Sequence, residues 1–178
     1  MNRVPAWFPR QVLWFTWTLL VLIAAWLIDV EFLLPGPRVN ISSSVPVGLY
    51  WFTPQHEVTK GTIAVVCFDG WAEQFMRRVS DLGAGPCPSG IAPAAKVLAA
   101  VPGDAVSFSR EGVRVNGGDL WPMSRPLAQY GPQPERTITL AHRQVLLMGL
   151  NRYSADGRYL GSIDDHVIIG SWRPLLVF

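Results

Sequence analysis

The uncharged run VLWFTWTLLVLIAAWLI, Val12 to Ile28, constrains the rest of the chain more than any other feature. As an α-helix at about 1.5 Å per residue it would be roughly 26 Å long, just adequate for the hydrocarbon core of a bilayer. Val30 and residues 32–34 can continue it at the far interface, and Trp7, Phe8, Trp14 and Trp26 stand where aromatic belts are expected. Arg3 and Arg10 precede the run, whereas Asp29 and Glu31 follow it. The positive-inside rule therefore keeps the short N-terminus in the cytoplasm and sends the remainder across the membrane. A cleaved signal peptide is the competing reading. The run is longer than a usual h-region and no small-x-small site follows it, which favours an uncleaved anchor. The expected division is a cytoplasmic stub and transmembrane anchor over residues 1–34, then an exported domain over 35–178.

Compartment decides how the cysteines are read. The sequence has 178 residues and two cysteines, Cys67 and Cys87, which bracket a Gly/Pro-rich segment. In an oxidising compartment, such as the periplasm of a Gram-negative cell, they would form a disulfide closing a loop of about 20 residues. On the chain-entropy account that closure is worth roughly 3 kcal/mol. A free, buried pair is the alternative. No histidine lies at ligand spacing to either cysteine, so no metal site is expected. The formal charge of +2 and the scattered basic residues argue against a nucleic-acid partner.

Beyond residue 35 the chain alternates short β-rich runs with Gly/Pro breaks, the pattern of a mainly β domain. Strands are expected at Leu49–Phe52, Gly61–Phe68, Lys96–Val101, Ala105–Ser109 and Val113–Val115. Further strands are expected at Arg136–Leu140, Gln144–Leu150, His166–Ile169 and Trp172–Phe178. Asp69 would cap a helix over Trp71–Leu82, with Trp71, Phe75, Val79 and Leu82 on one face and Gly83 as its stop. Residues 69–93 read as a helical and looped excursion from the β-scaffold, and Leu120–Glu135, rich in proline, as an extended surface loop.

Three clusters can carry chemistry. The first is the turn Asn40-Ile41-Ser42-Ser43-Ser44-Val45-Pro46-Val47-Gly48, where Pro46 forbids a helix through Ser44 and Gly48 permits a redirection. A hydroxyl on so stiff a turn suits a nucleophile; a serine-rich linker is the plainer reading. The second is Lys96, one of only two lysines, flanked by Ala94-Ala95 and Val97-Leu98. Burial disfavours the ammonium form and makes a lysine a base near neutral pH, so a Ser/Lys dyad is open to it. A lysine snorkelling from a half-exposed strand is the other reading. The third is the loop after Gly149, with Ser154, Asp156 and Arg158 two apart: either a loop stiffened by an ion pair or a functional loop. His56, His142 and His166 lack any local signature of a Ser-His-Asp triad.

Taken together and in this order, the clusters resemble the type I signal peptidase superfamily of membrane-anchored Ser/Lys peptidases, and within it the conjugative-transfer, TraF-type branch. Ser44-Val45-Pro46-Val47-Gly48-Leu49-Tyr50 is similar to that branch's Ser-x-Pro-x-Gly-x-Tyr box. Lys96 followed by Val101-Pro102-Gly103-Asp104 resembles the lysine strand ending in Pro-Gly-Asp. Gly149-x-Asn151 with Ser154-x-Asp156-x-Arg158-Tyr159-x-Gly161 looks like the third box, and Cys87-Pro88 is also similar to the conjugative branch. Gly157 stands where the wider family commonly has serine, which removes any hydroxyl role at that position.

The resemblance implies a signal-peptidase-like β-fold whose apolar surface lies on the membrane. It makes Ser44 the nucleophile and Lys96 the general base, with the Ser44 N–H and the Ser42 hydroxyl as the oxyanion hole. Ser154, Asp156 and Arg158 would support the dyad, and no cofactor is implied. The expected partners are the bacterial inner membrane, an exported precursor protein, most specifically a conjugative pilin, and other components of conjugative transfer. In this branch the acyl-enzyme is resolved by the substrate's own amino terminus. A general signal peptidase removing leader peptides, an inactive scaffold of the transfer apparatus and a self-cleaving repressor-like protein are the alternatives. No DNA-binding helical module accompanies the chain's anchor, which disfavours the last.

Overall fold

A largely apolar run forms a helix, α1 (Arg10–Val30, 21 residues), in the computed structural model, which describes residues 10–30, 34–55, 59–80, 82–123 and 133–178. Within α1 the side chains of 12–23 are described. All of them are exposed, Trp14 at 74% and Phe15 at 81%. Taken over the described residues, no helix is long and apolar enough to cross a membrane. The far part of the expected span, Trp26 included, lies outside the described side chains, as do Arg3, Trp7, Phe8 and Glu31. The chain forms two compact units, Met1–Leu34 and Pro35–Phe178.

The second unit is mainly β. Its larger sheet holds seven strands: β1 (Gly36–Asn40), β2 (Gly48–Pro54), β3 (Ile63–Val66), β4 (Ala94–Ala100), β9 (Gln144–Met148), β10 (Ile163–Asp164) and β11 (Ile168–Val177). They lie in the order β1-β2-β11-β3-β4-β9-β10, antiparallel throughout. A smaller antiparallel sheet has the order β7-β6-β5-β8, from β5 (Ala105–Phe108), β6 (Gly112–Val115), β7 (Trp121–Pro122) and β8 (Arg136–Thr139). Among the described residues two short helices complete it, α2 (Gly70–Val79) and α3 (Gly157–Leu160), with a 3-10 turn at Asp165–Val167.

Side chains alternate across β9, and β4 changes face at the irregularity between Leu98 and Ala100, so the two strands feed two cores. Leu98, Val145 and Leu147 enter one core with Ala64, Phe68, Met76 and Val167. Ala100, Leu146 and Met148 enter the other with Val106, Phe108 and Val113 of the small sheet. β4 and β9 are thus the shared wall between the two cores, and the rigid platform from which Lys96 and Gly149 are presented.

Several expectations shift. β1 was not expected, because GPRVN has no apolar alternation; its pairing with β2, Asn40 opposite Gly48, makes it a strand. The strands expected at 166–169 and 172–178 are one, since Gly170 does not break β11. A Cβ there would come within 2.2 Å of the Phe52 ring, so the glycine is a packing requirement. His166 falls in the 3-10 turn before that strand. In α2 the core face is Ala72 and Met76, supported by Phe75, Val79 and Leu82, whereas Trp71 is 55% exposed. The helix ends at Val79, short of Leu82, and Asp69 stands at its N-cap without a side-chain cap bond. Residues 124–132 of the expected surface loop lie outside the described set.

Candidate active site

Lys96 leaves β4 on the face of Ala94 and Leu98, opposite Ala64 of β3, and is 2% exposed. A lysine so placed has lost water and has gained no carboxylate contact in return. Its pKa is lowered to about 8, by burial first; the Asp156 charge opposes the shift and the Arg158 charge adds to it. The snorkelling reading is excluded by the burial. Nζ instead lies 2.9 Å from Ser44 Oγ and 2.5 Å from Ser154 Oγ, and the two hydroxyls are 3.1 Å apart. Three groups from β4, the β1–β2 turn and the post-β9 loop therefore form a closed triangle.

Ser44 reaches that triangle because its turn is fixed on both sides. Val45 is buried and plugs the turn into the core. The Leu150 N–H donates to the Ser44 carbonyl at 2.7 Å, joining the turn to the end of β9. The Tyr50 hydroxyl donates to the Pro46 carbonyl at 2.6 Å. Gly48 acts differently from expectation: it opens β2, and its missing Cβ admits the Leu176 carbonyl of β11, 2.2 Å from where that atom would stand. The need is for close backbone approach.

The third cluster is more buried than a polar loop suggests. Ser154, Asp156 and Arg158 are 6%, 0% and 1% exposed. Asp156 accepts from Arg158 Nη1 at 2.8 Å, from the Gly149 N–H at 2.7 Å and from the Arg158 N–H at 3.0 Å; the last of these caps α3. Arg158 Nη2 returns to the Gly149 carbonyl at 3.1 Å. Burial pushes the Asp156 carboxyl up from its ordinary value, and Arg158, then Lys96, then the two N–H groups oppose that. Asp156 and Arg158 thus hold the Gly149 peptide from both sides, and through Leu150 the Ser44 turn. Neither is in hydrogen-bond contact with Lys96; Asp156 acts on it through space.

Two glycines are part of this packing. A Cβ on Gly149 would lie 2.1 Å from Ser154 Oγ, and one on Gly157 would lie 2.6 Å from Leu146 Cδ1 and 2.9 Å from the Leu147 carbonyl. No side chain fits at 157 as the loop stands, which accounts for glycine at a position where a serine was the familial expectation.

Ser42 and Asn40 sit apart from the triangle. The Ser42 hydroxyl donates to Asn40 Oδ1 at 2.9 Å, so it is oriented by Asn40 and engaged with it. Sequence reasoning gave Asn40 no role, although asparagine two residues before a serine is an Asx-turn signal. Cys67 and Cys87 are bonded, with Sγ–Sγ 2.03 Å, and tie the excursion that carries α2 to the end of β3. The histidines are elsewhere: His166 Nδ1 and Nε2 face Asp164 and Asp69, each at 2.7 Å, and no hydroxyl. His142 is exposed, and His56 lies outside the described residues. Among the described residues no three His, Cys, Asp or Glu side chains group as metal ligands.

Comparison with known proteins gives the family. The family described as signal peptidase, peptidase S26, matches residues 11–176. A plasmid transfer protein TraF of Escherichia coli is 36% identical over 156 residues, covering 80% of this chain and 84% of its own. A conjugal transfer protein TraF of Agrobacterium tumefaciens (strain 15955) is 28% identical over 149 residues, covering 80% and 84%. The crystal structure of a signal peptidase I from Enterococcus faecalis V583 is matched at 18% identity and a TM-score of 0.37, over 67% of this chain and 98% of that one. The chain belongs to the signal peptidase family, peptidase S26, and to its TraF-type conjugative-transfer branch.

Proposed function

We propose that the protein is a membrane-anchored serine endopeptidase with a Ser44/Lys96 dyad, maturing an exported precursor and most specifically a conjugative pilin subunit. The observation that carries this reading is a lysine 2% exposed with Nζ 2.9 Å from Ser44 Oγ. Neutral Lys96 accepts the hydroxyl proton as Ser44 Oγ attacks the scissile carbonyl carbon. The tetrahedral oxyanion takes hydrogen bonds from the Ser44 N–H and, after rotation, the Ser42 O–H. Collapse breaks the C–N bond, Lys96 returns its proton to the leaving amine, and an ester on Ser44 remains. Water then attacks to give a free carboxylate, or the acyl group's own amino terminus attacks to give a cyclic amide. Lys96 takes the second proton and Ser44 recovers its own. Ser154 Oγ, within bonding distance of both partners, fixes the amine's direction.

The anchor and inner-membrane location belong to the same proposal, with the amino terminus cytoplasmic and the domain periplasmic. They are supported by the apolar run, and by exposed apolar side chains at Val39, Ile41, Val47, Trp51 and Leu175–Phe178. The bonded cysteines suit an oxidising compartment. Conjugative substrates are inferred from the relatives named as transfer proteins. The test is co-expression of the full chain with the pilin precursor of its own transfer system, read by intact mass. Cleavage with a product about one water lighter than the linear peptide means cyclisation; the linear mass means hydrolysis. An uncut precursor alongside processed leader-bearing proteins points to a general signal peptidase. No processing of either overturns the enzyme reading in favour of a scaffold.

A further inference from the structure

We propose that Asn40 is a positioning residue for the oxyanion donors, holding the Ser42 hydroxyl until negative charge develops beside Ser44. The inference rests on the Ser44/Lys96 reading and adds a component to it. Asn40 ends β1, is 4% exposed, and turns its amide into the loop that carries both serines. Nδ2 lies 2.9 Å from the Ser42 carbonyl, 3.1 Å from Val45 and 2.9 Å from Pro46, acceptors on either side of Ser44. Oδ1 accepts the Ser42 N–H at 3.0 Å and the Ser42 O–H at 2.9 Å. One buried side chain thus makes five hydrogen bonds to residues 42–46 of the turn.

That arrangement has a catalytic consequence. A hydroxyl has one proton, and the Ser42 proton is directed at Asn40 Oδ1. To serve an oxyanion it must rotate away, while Oδ1 keeps the Ser42 N–H and the turn stays in place. A neutral substrate carbonyl is no better an acceptor than the Asn40 amide oxygen. A developing oxyanion is, because charge-assisted hydrogen bonds are roughly twice as strong as neutral ones. The donor is therefore released in the transition state and withheld in the ground state, the condition for raising kcat without tightening KM. An asparagine is needed for both halves: Oδ1 to hold the hydroxyl and Nδ2 to fix the flanking carbonyls.

The experiment uses the full chain in detergent, with N-acetyl-alanine p-nitrophenyl ester as probe and Ser44→Ala as the blank. Asn40→Asp keeps an acceptor, strengthens its grip on the Ser42 hydroxyl and removes the Nδ2 donor. Asn40→Ser is neutral and too short to hold either. Each is measured alone and combined with Ser42→Ala, with Tm followed in parallel. The expected result is a fall in kcat of about 100-fold, in the range seen on losing one oxyanion donor. KM should stay within about threefold. Adding Ser42→Ala to either variant should cost no more than about threefold further, because the pair acts as one unit. Wild-type kcat in both variants overturns the proposal, as does full multiplication of the Asn40 and Ser42 losses. Absence of a cooperative melt in both variants assigns Asn40 to folding alone and also overturns it. A wild-type rate equal to that of Ser44→Ala is a separate result, which brings down the dyad reading itself.

Discussion

Two clusters in this protein combine a titratable base with an aspartate and an arginine, and they behave in opposite ways. In one, Lys96 lies against Ser44 and Ser154 with Asp156 and Arg158 behind, every charged group at most 2% exposed. In the other, His166 bridges Asp164 and Asp69, and Arg143 pairs with Asp164 and Asp165; the side chains of His166 and Asp164 are 49% and 45% exposed. Burial lowers the Lys96 pKa to about 8, whereas the facing carboxylates raise that of His166. Asp164 is lowered to about 2, chiefly by its bonds from His166. The contrast teaches that proximity of a base, an acid and a cation does not make a site. Loss of water makes the base usable, and a hydroxyl within its reach makes it useful.

The largest test of that difference is Lys96→Ala, expected to lower acyl transfer to the ester probe by about 10,000-fold, at the upper end for general-base catalysis. In the wild type kcat/KM should rise about tenfold per pH unit below a midpoint near 8 and level off above it, since the neutral amine is the active form. A bell centred near pH 6.5 would transfer the base role to a histidine.

Next in size is Asp156→Ala, which strands the buried Arg158 guanidinium. Urea unfolding should show a loss of about 3–5 kcal/mol. The cost of burying Lys96 is the third measure. Its native pKa is below its unfolded value, so the unfolded chain binds the extra proton and stability rises with pH between about 8 and about 10.5. Lys96→Met, which leaves Ser44 and Ser154 to bond each other, should therefore stabilise the inactive protein by up to about 3 kcal/mol at pH 7, and by less through that window. Equal stability of variant and wild type at every pH would mean the lysine is not desolvated.

Gly149→Ala comes fourth. The new methyl meets Ser154, so a cost of about 1–3 kcal/mol and a reduced rate are expected. Smallest is His166→Ala: unchanged rate, with a small drop in Tm. Because the native His166 pKa is raised, that drop should be fullest below about pH 6.5 and vanish as pH rises through the native value. A changed rate would put the exposed cluster into the reaction and erase the distinction drawn above.

Much of the site was legible in the linear chain, but unevenly. Lys96 could be singled out because its neighbours are alanine, valine and leucine, and Pro46 announced the turn after Ser44. Asn40 offered only a local Asx-turn signal, because its five bonds run to a turn that must close first. Trp71 was assigned to the buried face of α2 on periodicity, yet the smaller Ala72 takes that place. Gly170, between the two strands expected at 166–169 and 172–178, lies inside one strand against Phe52.

By itself the sequence determined the β-rich domain, the apolar N-terminal helix and the three boxes, since alternation, apolar length and turn residues are local properties. Only the tertiary structure decided that Lys96 is dry, that its amine reaches Ser44 and Ser154, and that Asp156 and Arg158 brace Gly149 while His166 stays in water. Those facts depend on which strands become neighbours. A pKa near 8 belongs to the shared wall of β4 and β9, and to no stretch of residues read alone.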